Sequence, residues 1–445
     1  MHCQSPKTVE DVFKIVRDKE ISFIQIWFSD ILGVLKSFSI RPSELEEAMT
    51  EGMGFDGSSI EGFSRIEESD MIAKPDPSTF QMLPWRPEEK PVARMFCDIL
   101  LPDGSPYPGD PRYALKRMLA KAADKGYTYY TGPELEYFYF ADQNSTQFID
   151  QGGYFDSPPL DLGNNLRRQT IFAMEDLGIR VEYSHHEVAA SQHEIDMRYD
   201  EGLRMADKVM GFRLTVKEIA RLNGVYATFM PKPVFGINGS GMHTHQSLFK
   251  EARNAFHDPK DQYHLSGVAK GYIAGILKHA REITAICNQW VNSYKRLVPG
   301  YEAPVYIAWA RRNRSTLVRV PMYKPGKEAA TRIEYRAPDP GCNPYLAFAV
   351  MLAAGLKGVE GNYPLPDPVE DDVYHMTEAQ RERLGIKSLP GSLFEAIQET
   401  EGSALVKEAL GEHIFNKFLE NKKIEWDAFR THVSQYEIDR YLPIL

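Results

Sequence analysis

Apolar residues follow two different periods along the chain, and together they predict a mixed α+β protein. After Thr8, which begins a capping pattern, the valines of residues 9–16 recur on one helical face. The runs "ISFIQIWF" and "LKSFSI" alternate around a turn at Gly33, as two strands of a hairpin would. Further along, short strand-like runs alternate with helical ones, which is typical of an α+β fold.

A proline-rich stretch over residues 75–111 divides the chain. The segment "LPDGSPYPGDP" has turn residues throughout, and Asp110-Pro111 then begins a helix as an N-cap followed by proline. We therefore expect a small domain over residues 1–108 and a large one over residues 109–445. The run "YLAFAVMLAAGL" from Tyr345 is too short to cross a bilayer and predicts a buried helix.

Composition narrows the function classes. The 445 residues include 52 basic and 62 acidic ones, and the formal charge of −10 argues against general affinity for nucleic acid. The four cysteines include no CxxC pair, so neither a zinc ribbon nor a disulfide framework is indicated. The segment "MHCQSPKTVEDVFKIV" lacks the apolar run of a signal peptide. We expect a cytoplasmic protein without a membrane or nucleic-acid partner.

Two acids stand together in the strand-like run "GPELEYFYF". Glu134 and Glu136 are two positions apart, so a strand points both to the same face, about 6–7 Å from each other. At an effective dielectric near 20, two such charges repel by about 2–3 kcal/mol. That face is therefore either open to water or occupied by something positive.

Three other stretches carry candidate chemistry. "EYSHHEVAASQHEID" holds Glu182, Glu187 and Glu194, and a turn at residues 189–191 would bring the last two together. In "NGSGMHTHQSL", a glycine loop over residues 238–241 allows close approach of the backbone to a ligand. One strand face after that loop carries His243, His245 and Ser247. In "RIEYRAPDPG", one face is shared by Arg332, Glu334 and Arg336.

Each of these signals has an ordinary structural explanation when it is taken alone. Paired strand glutamates are more often a solvated face than a metal site, and no Walker A sequence accompanies the glycine loop. The run "ARRNRSTLVRV" fits a solvated basic edge. In combination they predict a metal–nucleotide site, in which Mg²⁺, or Mn²⁺ in its place, neutralises the carboxylates and arginines meet phosphate.

The ordered motifs "FDGSSIEGFSRIEESDM", "GPELEYF", "SHHEVA", "FMPKPVFGINGSGMH", "NSYKRLVPGYEAP", "RNRS" and "RIEYRAPDPGCNPYLAF" span nearly the whole chain. In this order and spacing the chain resembles the type I glutamine synthetases of bacteria and archaea. The resemblance implies a small N-terminal β-grasp-like domain and a large catalytic domain with an antiparallel sheet and helices. It also implies that ammonia is joined to L-glutamate with ATP, through γ-glutamyl phosphate, in nitrogen assimilation.

The resemblance assigns roles by motif position, beginning with two divalent cations. The ligands of the first would be Glu136, Glu187 and Glu194, and those of the second Glu134, His243 and Glu334. L-Glutamate would be held by Asn238, Gly239, Arg296 and Arg336. The ammonium pocket would comprise Asp56 from a neighbouring subunit, Ser59, Tyr154, Glu187 and Glu302.

Further implied roles concern ATP. The phosphates would meet Arg314, Arg319 and Arg332, and the nucleotide side would include Glu182, Phe229, His245 and Ser247. Asp56, Glu302 and Arg314 would be the catalytic residues, with Glu302 on a flap that closes over the intermediate. The alternatives are that Phe229 packs in the core, that Ser59 only caps a turn and that Arg332 pairs with an acid.

Assembly and regulation follow from the resemblance as well. Relatives form two stacked hexameric rings with active sites between subunits, so a homododecamer is expected. Arg65 marks the branch that glutamine inhibits by feedback, and we expect Arg65→Ala to relieve that inhibition. Tyr374 lies about where another branch is adenylylated, but its surroundings differ, so we expect it to stay unmodified and Tyr374→Phe to leave regulation intact. Regulation by a PII-type protein stays open.

Three other functions compete with this interpretation. A ligase for a larger amine, such as a polyamine, would need a less acidic pocket than the one that Asp56, Tyr154 and Glu302 imply. A non-catalytic relative would have lost metal ligands or phosphate-binding arginines, and none is missing from the motifs. A two-metal hydrolase would leave the arginine segment and the flap without a role.

Overall fold

The computed structural model describes residues 8–60, 62, 70–86, 89–301, 303–324 and 326–445. Its first helix, α1 (Val9–Asp18), begins at Thr8 with the predicted capping box, in which the Thr8 and Asp11 side chains each accept from the other's backbone N–H. Valines 12 and 16 of this helix are buried. Residues Arg65 and Glu302, to which the sequence assigned roles, lie outside the described residues.

The smaller sheet is formed by the N-terminal part of the chain. Its strands are β1 (Phe23–Ser29), β2 (Leu35–Ile40), β3 (Met53–Asp56), β4 (Asp70–Pro75), β5 (Gln81–Met82) and β6 (Val92–Leu100), with α2 (Leu45–Thr50) between β2 and β3. They lie in the order β2-β1-β6-β4-β3, with β5 beside β6, and only the β1–β6 pair is parallel. Helix α1 packs on this sheet through Val12 and Val16, which belong to its separate apolar core.

The hairpin between β1 and β2 joins this sheet to the rest of the molecule. Gly33 has a φ of +77°, and a Cβ on it would lie 2.8 Å from the Cα of Asn343. Gln289 donates to the carbonyl of Leu32, and Arg213 donates to that of Gly33. The predicted turn therefore requires glycine both for its conformation and for its contact with the large domain.

The large sheet begins after α3 (Pro111–Asp124), which Asp110 caps as predicted. Its strands are β7 (Thr128–Phe140), β8 (Val181–His186), β9 (Gln192–Met197), β10 (Asp200–Glu201), β11 (Tyr226–Thr228), β12 (Met242–Lys250), β13 (Arg253–Asn254), β14 (Tyr306–Ala310), β15 (Thr316–Arg319) and β16 (Ile333–Tyr335). The main path runs β14-β15-β16-β12-β7-β9-β8. Every neighbouring pair on this path is antiparallel except β14–β15.

Further helices accompany the large sheet. They are α4 (Asn164–Asp176), α5 (Gly202–Leu222), α6 (Gly267–Cys287), α7 (Ser293–Arg296), α8 (Pro344–Glu360), α9 (Glu378–Arg383), α10 (Leu393–Glu401), α11 (Ala404–Leu410), α12 (Glu412–Arg430) and α13 (Gln435–Tyr441). Of these, α4, α5 and α6 contact its strands directly. Helix α8 contains the apolar run from Tyr345 and is almost entirely buried against α6, as predicted. In the part of the chain described, no helix combines the length and the apolar character needed to cross a membrane.

The predicted α+β class, with a small domain before a larger one, is confirmed. The boundary between residues 108 and 109 stays a prediction.

Candidate functional site

Strand register brings the chemically active side chains onto one face of the large sheet. Glu136 of β7 lies opposite Glu194 of β9, and Glu134 lies opposite His243 of β12 on its other side. His245 of β12 in turn lies opposite Glu334 of β16. Because directly opposed residues point to the same face, stretches far apart in sequence form one continuous polar surface.

The first of two clusters on this surface consists of Glu134, His243 and Glu334, and we call it the inner cluster. Their ligand-type atoms all lie within 4.8 Å of one another. His243 Nδ1 is 3.7 Å from Glu134 Oε2 and 3.8 Å from Glu334 Oε1. Atoms that share an octahedral Mg²⁺ at about 2.1 Å lie roughly 3–4.2 Å apart, so these separations fit one bound cation.

Electrostatics keep the inner cluster ready to bind a cation. Burial opposes ionisation of Glu334, but the charge of Arg336, together with His245 and His243, outweighs burial and lowers the pKa of Glu334 to about 2. Burial, together with the charge of Arg336, lowers the pKa of His243 to about 4, so its imidazole is neutral at pH 7. Burial also opposes the charge of Glu134, yet His245 and His243 hold its pKa well below the usual range. The cluster thus offers two carboxylates and a neutral nitrogen.

The second cluster, which we call the outer cluster, lies on β7, β8 and β9. Ligand-type atoms of His185, Glu187 and Glu194 lie within 4.8 Å of one another, and Glu136 is opposed to Glu194 in the sheet. Burial and the nearby charge of Glu187 raise the pKa of Glu136 to about 8. Burial and Asp196 raise the pKa of Glu194 well above its usual range. A divalent cation bound here would stabilise the charged forms of these acids.

A turn brings Glu187 to this cluster, as the sequence predicted. The backbone N–H of Glu187 donates to the carbonyl of Gln192, and that of Gln192 donates to Ala189. Ser191 adopts a φ of +59°, a conformation that closes the turn between β8 and β9. Glu187 and Glu194 are an odd number of positions apart, which on a regular strand would send them to opposite faces. The turn is therefore what lets both side chains reach the same cluster.

Arginines border the inner cluster on the β15–β16 side. Arg319 and Arg336 both pair with the carboxylate of Glu334, which is fully buried. The Nε atom of Arg336 is buried and has no hydrogen-bond partner among the described residues. A guanidinium with one unused donor beside a metal-type cluster is suited to hold an anion.

His245 links Glu134 to Arg332. The Nε atom of Arg332 donates to His245 Nδ1 at 3.2 Å, and His245 Nε2 lies 2.7 Å from Glu134 Oε1. Because arginine can only donate, Nδ1 accepts and the proton of a neutral ring is on Nε2, directed at the carboxylate. His245 thus orients a residue of the inner cluster. The nucleotide-side role that the resemblance implies for it stays a prediction.

The glycine loop lies against the outer cluster. The amide of Gln192 donates to Glu136 Oε2 at 3.2 Å and to the carbonyl of Gly239 at 3.0 Å, while the N–H of Gly241 donates to the same oxygen of Glu136 at 2.9 Å. Asn238 lies in this loop, just before Gly239. The predicted glutamate-binding loop is therefore fixed to a predicted cation ligand.

We expect Gly239→Ala to impair this loop. A Cβ on Gly239 would lie 2.4 Å from the carbonyl oxygen of Pro231 and 3.0 Å from Arg296 Cγ, so the backbone must shift. In the reaction that the resemblance implies, the KM for glutamate should rise by about tenfold or more, as for a misplaced substrate group, with the KM for ATP little changed. Gly267→Ala, at the first position of α6, is the control, because the added Cβ would have no atom within 4 Å. Equal kinetics for both variants would contradict the prediction.

The remaining predicted residues differ in their settings. Arg296 is buried, and its guanidinium donates to the carbonyls of Arg336, Ala337 and Pro338. Tyr154 is half exposed, stacks on Phe155 and shares a side-chain hydrogen bond with the exposed Arg314. On the large sheet, Glu182 is exposed at the edge strand β8, and Ser247 is buried in β12.

Three other predicted residues lie away from the clusters. The side chain of Phe229 is buried between Tyr137 and Phe212, as in the core-packing alternative. Asp56 and Ser59 are exposed at the end of β3, in the smaller sheet. Their roles, like those of the other assigned residues, stay predictions.

The sequence did not single out three residues of this face. His185 of β8 lies opposite Glu194, and burial, with the charge of Arg167, lowers its pKa to about 4, which leaves a neutral ring. Asp196 lies opposite Glu134 and repeats the Glu-x-Glu spacing of β7 as Glu-x-Asp. Gln192 is the third, through its bonds to Glu136 and Gly239. The sequence signal for His185 and Asp196 was the spacing of polar residues in "HHE" and "HEID", which a strand would place on alternating faces.

Comparisons with known proteins agree with this geometry. The family model described as "Glutamine synthetase, beta-Grasp domain" matches residues 20–102, and "Glutamine synthetase, catalytic domain" matches residues 108–441. The chain is 54% identical to a glutamine synthetase of Mycolicibacterium smegmatis, covering 98% of this chain and 99% of the relative. It is 52% identical to one of Methanosarcina mazei, covering 98% of each.

Solved structures show the same fold. A GmaS structure in complex with ADP aligns with a TM-score of 0.89 at 31% identity, over 98% of this chain and 100% of that one. A Plasmodium falciparum glutamine synthetase determined by cryo-electron microscopy aligns with a TM-score of 0.88 at 25% identity, over 99% and 100%.

Proposed function

This chain belongs to the glutamine synthetase family, whose reaction joins ammonia to L-glutamate with ATP, and we propose that its inner and outer clusters each hold one divalent cation for that reaction. The observation that carries the proposal is the register that places both clusters side by side on one sheet face, next to Arg319 and Arg336. Oxygen-rich ligands favour Mg²⁺, with Mn²⁺ as the alternative ion. The bound cations would polarise phosphate oxygens and neutralise developing charge.

The first chemical step would use the arginine border. The γ-carboxylate of glutamate attacks the γ-phosphorus of ATP, so that γ-glutamyl phosphate forms and ADP leaves. Arg319 at the end of β15, Arg332 just before β16 and Arg314 in the loop before β15 would hold the phosphate oxygens. Arg336 would meet a substrate carboxylate through its unused Nε. The ADP bound to the related GmaS supports a nucleotide site in this fold.

The second step would use the outer cluster. Ammonium binds among carboxylates and loses a proton to one of them, and ammonia then attacks the acyl carbon and expels phosphate. We assign the ammonium pocket to Ser59, Tyr154, Glu187 and Glu302, with Asp56 supplied by a neighbouring subunit. The exposure of Asp56 on the smaller sheet supports a site completed by a second chain.

We extend this proposal to organisation and control. Chains of two domains, residues 1–108 and 109–445, would assemble into two hexameric rings in the cytoplasm. Glutamine would inhibit the enzyme by feedback through Arg65.

Tyr374 donates from its hydroxyl to the carbonyl of Ala303, so its oxygen is already engaged beside the predicted flap, which supports an unmodified tyrosine. A PII-type regulator is the further partner to test. Light scattering on the purified chain tests the assembly, and glutamine inhibition of Arg65→Ala tests the feedback.

A product assay tests the reaction itself. Purified protein with Mg²⁺, ATP and glutamate should release phosphate and form glutamine only when ammonium is added. Putrescine in place of ammonium should give no product. Release with putrescine alone would identify a polyamine ligase instead, release without any amine would identify a phosphohydrolase, and no release under any condition would indicate a non-catalytic relative.

We expect cation binding to the outer cluster to be coupled to pH. The pKa of Glu136 is about 8 in the folded chain against 4.5 for an ordinary glutamate, so the metal-free fold loses stability as the pH rises between these values. Mn²⁺ must displace the proton, and its affinity should therefore increase from pH 6 to pH 8 with release of protons. Calorimetry in two buffers of different ionisation enthalpy measures that release. An affinity independent of pH would contradict the prediction.

A further inference from the structure

A second group of metal-type residues lies behind the outer cluster. Asp150, Asp161, His186 and His193 are all buried, and their ligand-type atoms lie within 4.8 Å of one another. Two histidines and two carboxylates are a common metal-binding combination. None of them is among the residues to which the sequence assigned a role, so their function has to be inferred from their contacts.

Arg167 occupies the place that a metal would need. Its guanidinium donates to both carboxylate oxygens of Asp161, at 3.1 and 2.7 Å, and lies 2.7 Å from His193 Nδ1, which must therefore accept. A guanidinium and a divalent cation cannot share these atoms, because like charges repel strongly in a buried setting. The group is an internal ion-pair network rather than a third metal site.

His186 connects this network to the outer cluster. Its Nδ1 is 2.7 Å from the backbone carbonyl of Glu187, and its Nε2 is 2.9 Å from Asp150 Oδ1. Both partners are acceptors, so both ring nitrogens donate. The ring is completely buried, and through these bonds it fixes the backbone of Glu187 to the carboxylate of Asp150.

Asp150 fixes the other end of the same turn. Its Oδ1 accepts from the N–H of Ser191 at 2.9 Å, and the Oγ of Ser191 accepts from the N–H groups of Ile149 and Asp150. Ser191 is the residue with the positive φ that closes the turn after Glu187. The buried carboxylate of Asp150 thus holds both ends of the 187–192 turn. It accepts directly from Ser191 near the second end, and it is joined to Glu187 at the first end through His186.

We propose that Asp150 and His186 are positioning residues that set Glu187 in place to bind the cation of the outer cluster. This rests on the proposed function, since it assumes that the outer cluster binds a cation. Glu187 is on the turn and is partly buried, and its carboxylate accepts from the N–H of Val188, which belongs to the same turn. The support of the turn therefore also places this carboxylate. Groups that orient a metal ligand commonly contribute 10–100-fold to metal affinity.

Two near-isosteric variants test the proposal on the full chain. His186→Asn retains a donor near Nδ1, and His186→Gln retains one near Nε2, but neither spans both acceptors. Mn²⁺ titration followed by electron paramagnetic resonance should show two ions per wild-type chain. Each variant should bind one of them about 10–100-fold more weakly and the other unchanged.

A double-mutant cycle identifies the ion. The loss of Mn²⁺ affinity caused by His186→Gln should not add to the loss caused by Glu187→Gln, because both changes act on the same ligand. It should add to the loss of Mn²⁺ affinity caused by His243→Ala in the inner cluster. His279→Gln is the matched control, because His279 is also buried and paired with a carboxylate, that of Glu282, but lies on α6. It should leave both affinities unchanged.

The proposal would be overturned if the folded His186 variants bound Mn²⁺ with unchanged affinity. It would also be overturned if their losses of Mn²⁺ affinity added fully to the loss caused by Glu187→Gln. Should both His186 variants fail to fold, Asp150→Asn, which keeps the size and one acceptor oxygen, decides it, with an expected loss of about tenfold for the same ion. A wild-type chain that binds no Mn²⁺ would refute the proposed cation function instead, so the two failures are distinguishable.

Discussion

Replacing Glu334 by alanine is expected to lower the free energy of unfolding by about 3–5 kcal/mol, as for other buried ion pairs that lose one partner. Glu334 is completely buried, and its carboxylate pairs with Arg319 and Arg336. Without it the buried Arg336 keeps its charge with no compensating carboxylate at hydrogen-bond distance in the described structure. The inner cluster also loses a ligand, so activity should disappear together with stability.

Denaturant unfolding of the metal-free protein measures this effect. Glu408→Ala is the control, because Glu408 forms an exposed pair with Lys121 and should cost less than about 1 kcal/mol. Because the pKa of Glu334 is about 2, its contribution should persist down to acidic pH and be lost only as the pH falls toward that value. A Glu334→Ala protein as stable as the control would contradict the assignment of Glu334 as the counter-ion of these arginines.

Replacing Glu136 by glutamine is expected to abolish activity while the stability of the protein is kept, in contrast to Glu334→Ala, which should lose both. Loss of a cation that stabilises several kcal/mol of transition-state charge should reduce kcat by about 10³-fold or more. The metal-free protein should meanwhile be at least as stable as wild type at pH 8, because Glu136 is a buried acid whose charge Glu187 repels. The amide oxygen can still accept from the N–H of Gly241.

Steady-state kinetics and thermal unfolding with and without Mn²⁺ separate these two effects. Wild type should gain more stability from Mn²⁺ than Glu136→Gln does, since the variant lacks a ligand. Glu201→Gln is the control, because Glu201 is exposed on β10, which pairs with the same strand β7. Full activity in Glu136→Gln would contradict a role for the outer cluster in catalysis.

Strand periodicity explains why much of the site was predictable. On β7, β12 and β16 the side chains alternate strictly, so the sequence predicted which residues share a face without knowing the fold. Glu134 with Glu136, and His243 with His245, are such pairs, and the registers place them on one surface. The assignment of individual roles, by contrast, depended on the family resemblance.

Other features depended on contacts that local pattern does not encode. His185 reaches the outer cluster through the pairing of β8 with β9, which shifts register between Val181 and Tyr183. The buried position of Phe229 is set by Tyr137 and Phe212, which come from other parts of the chain. The network of Asp150 and His186 joins residues 36 positions apart, and no periodicity relates them.

The most direct test of the two-cation account is a crystal structure of the full chain grown with Mn²⁺, with anomalous differences measured at the manganese edge. We predict two peaks per chain, one among Glu134, His243 and Glu334 and one among Glu136, Glu187 and Glu194. The buried group of Asp150, Asp161, His186 and His193 should have none, because Arg167 fills it. A peak in that buried group, or none in the inner and outer clusters, would contradict the account.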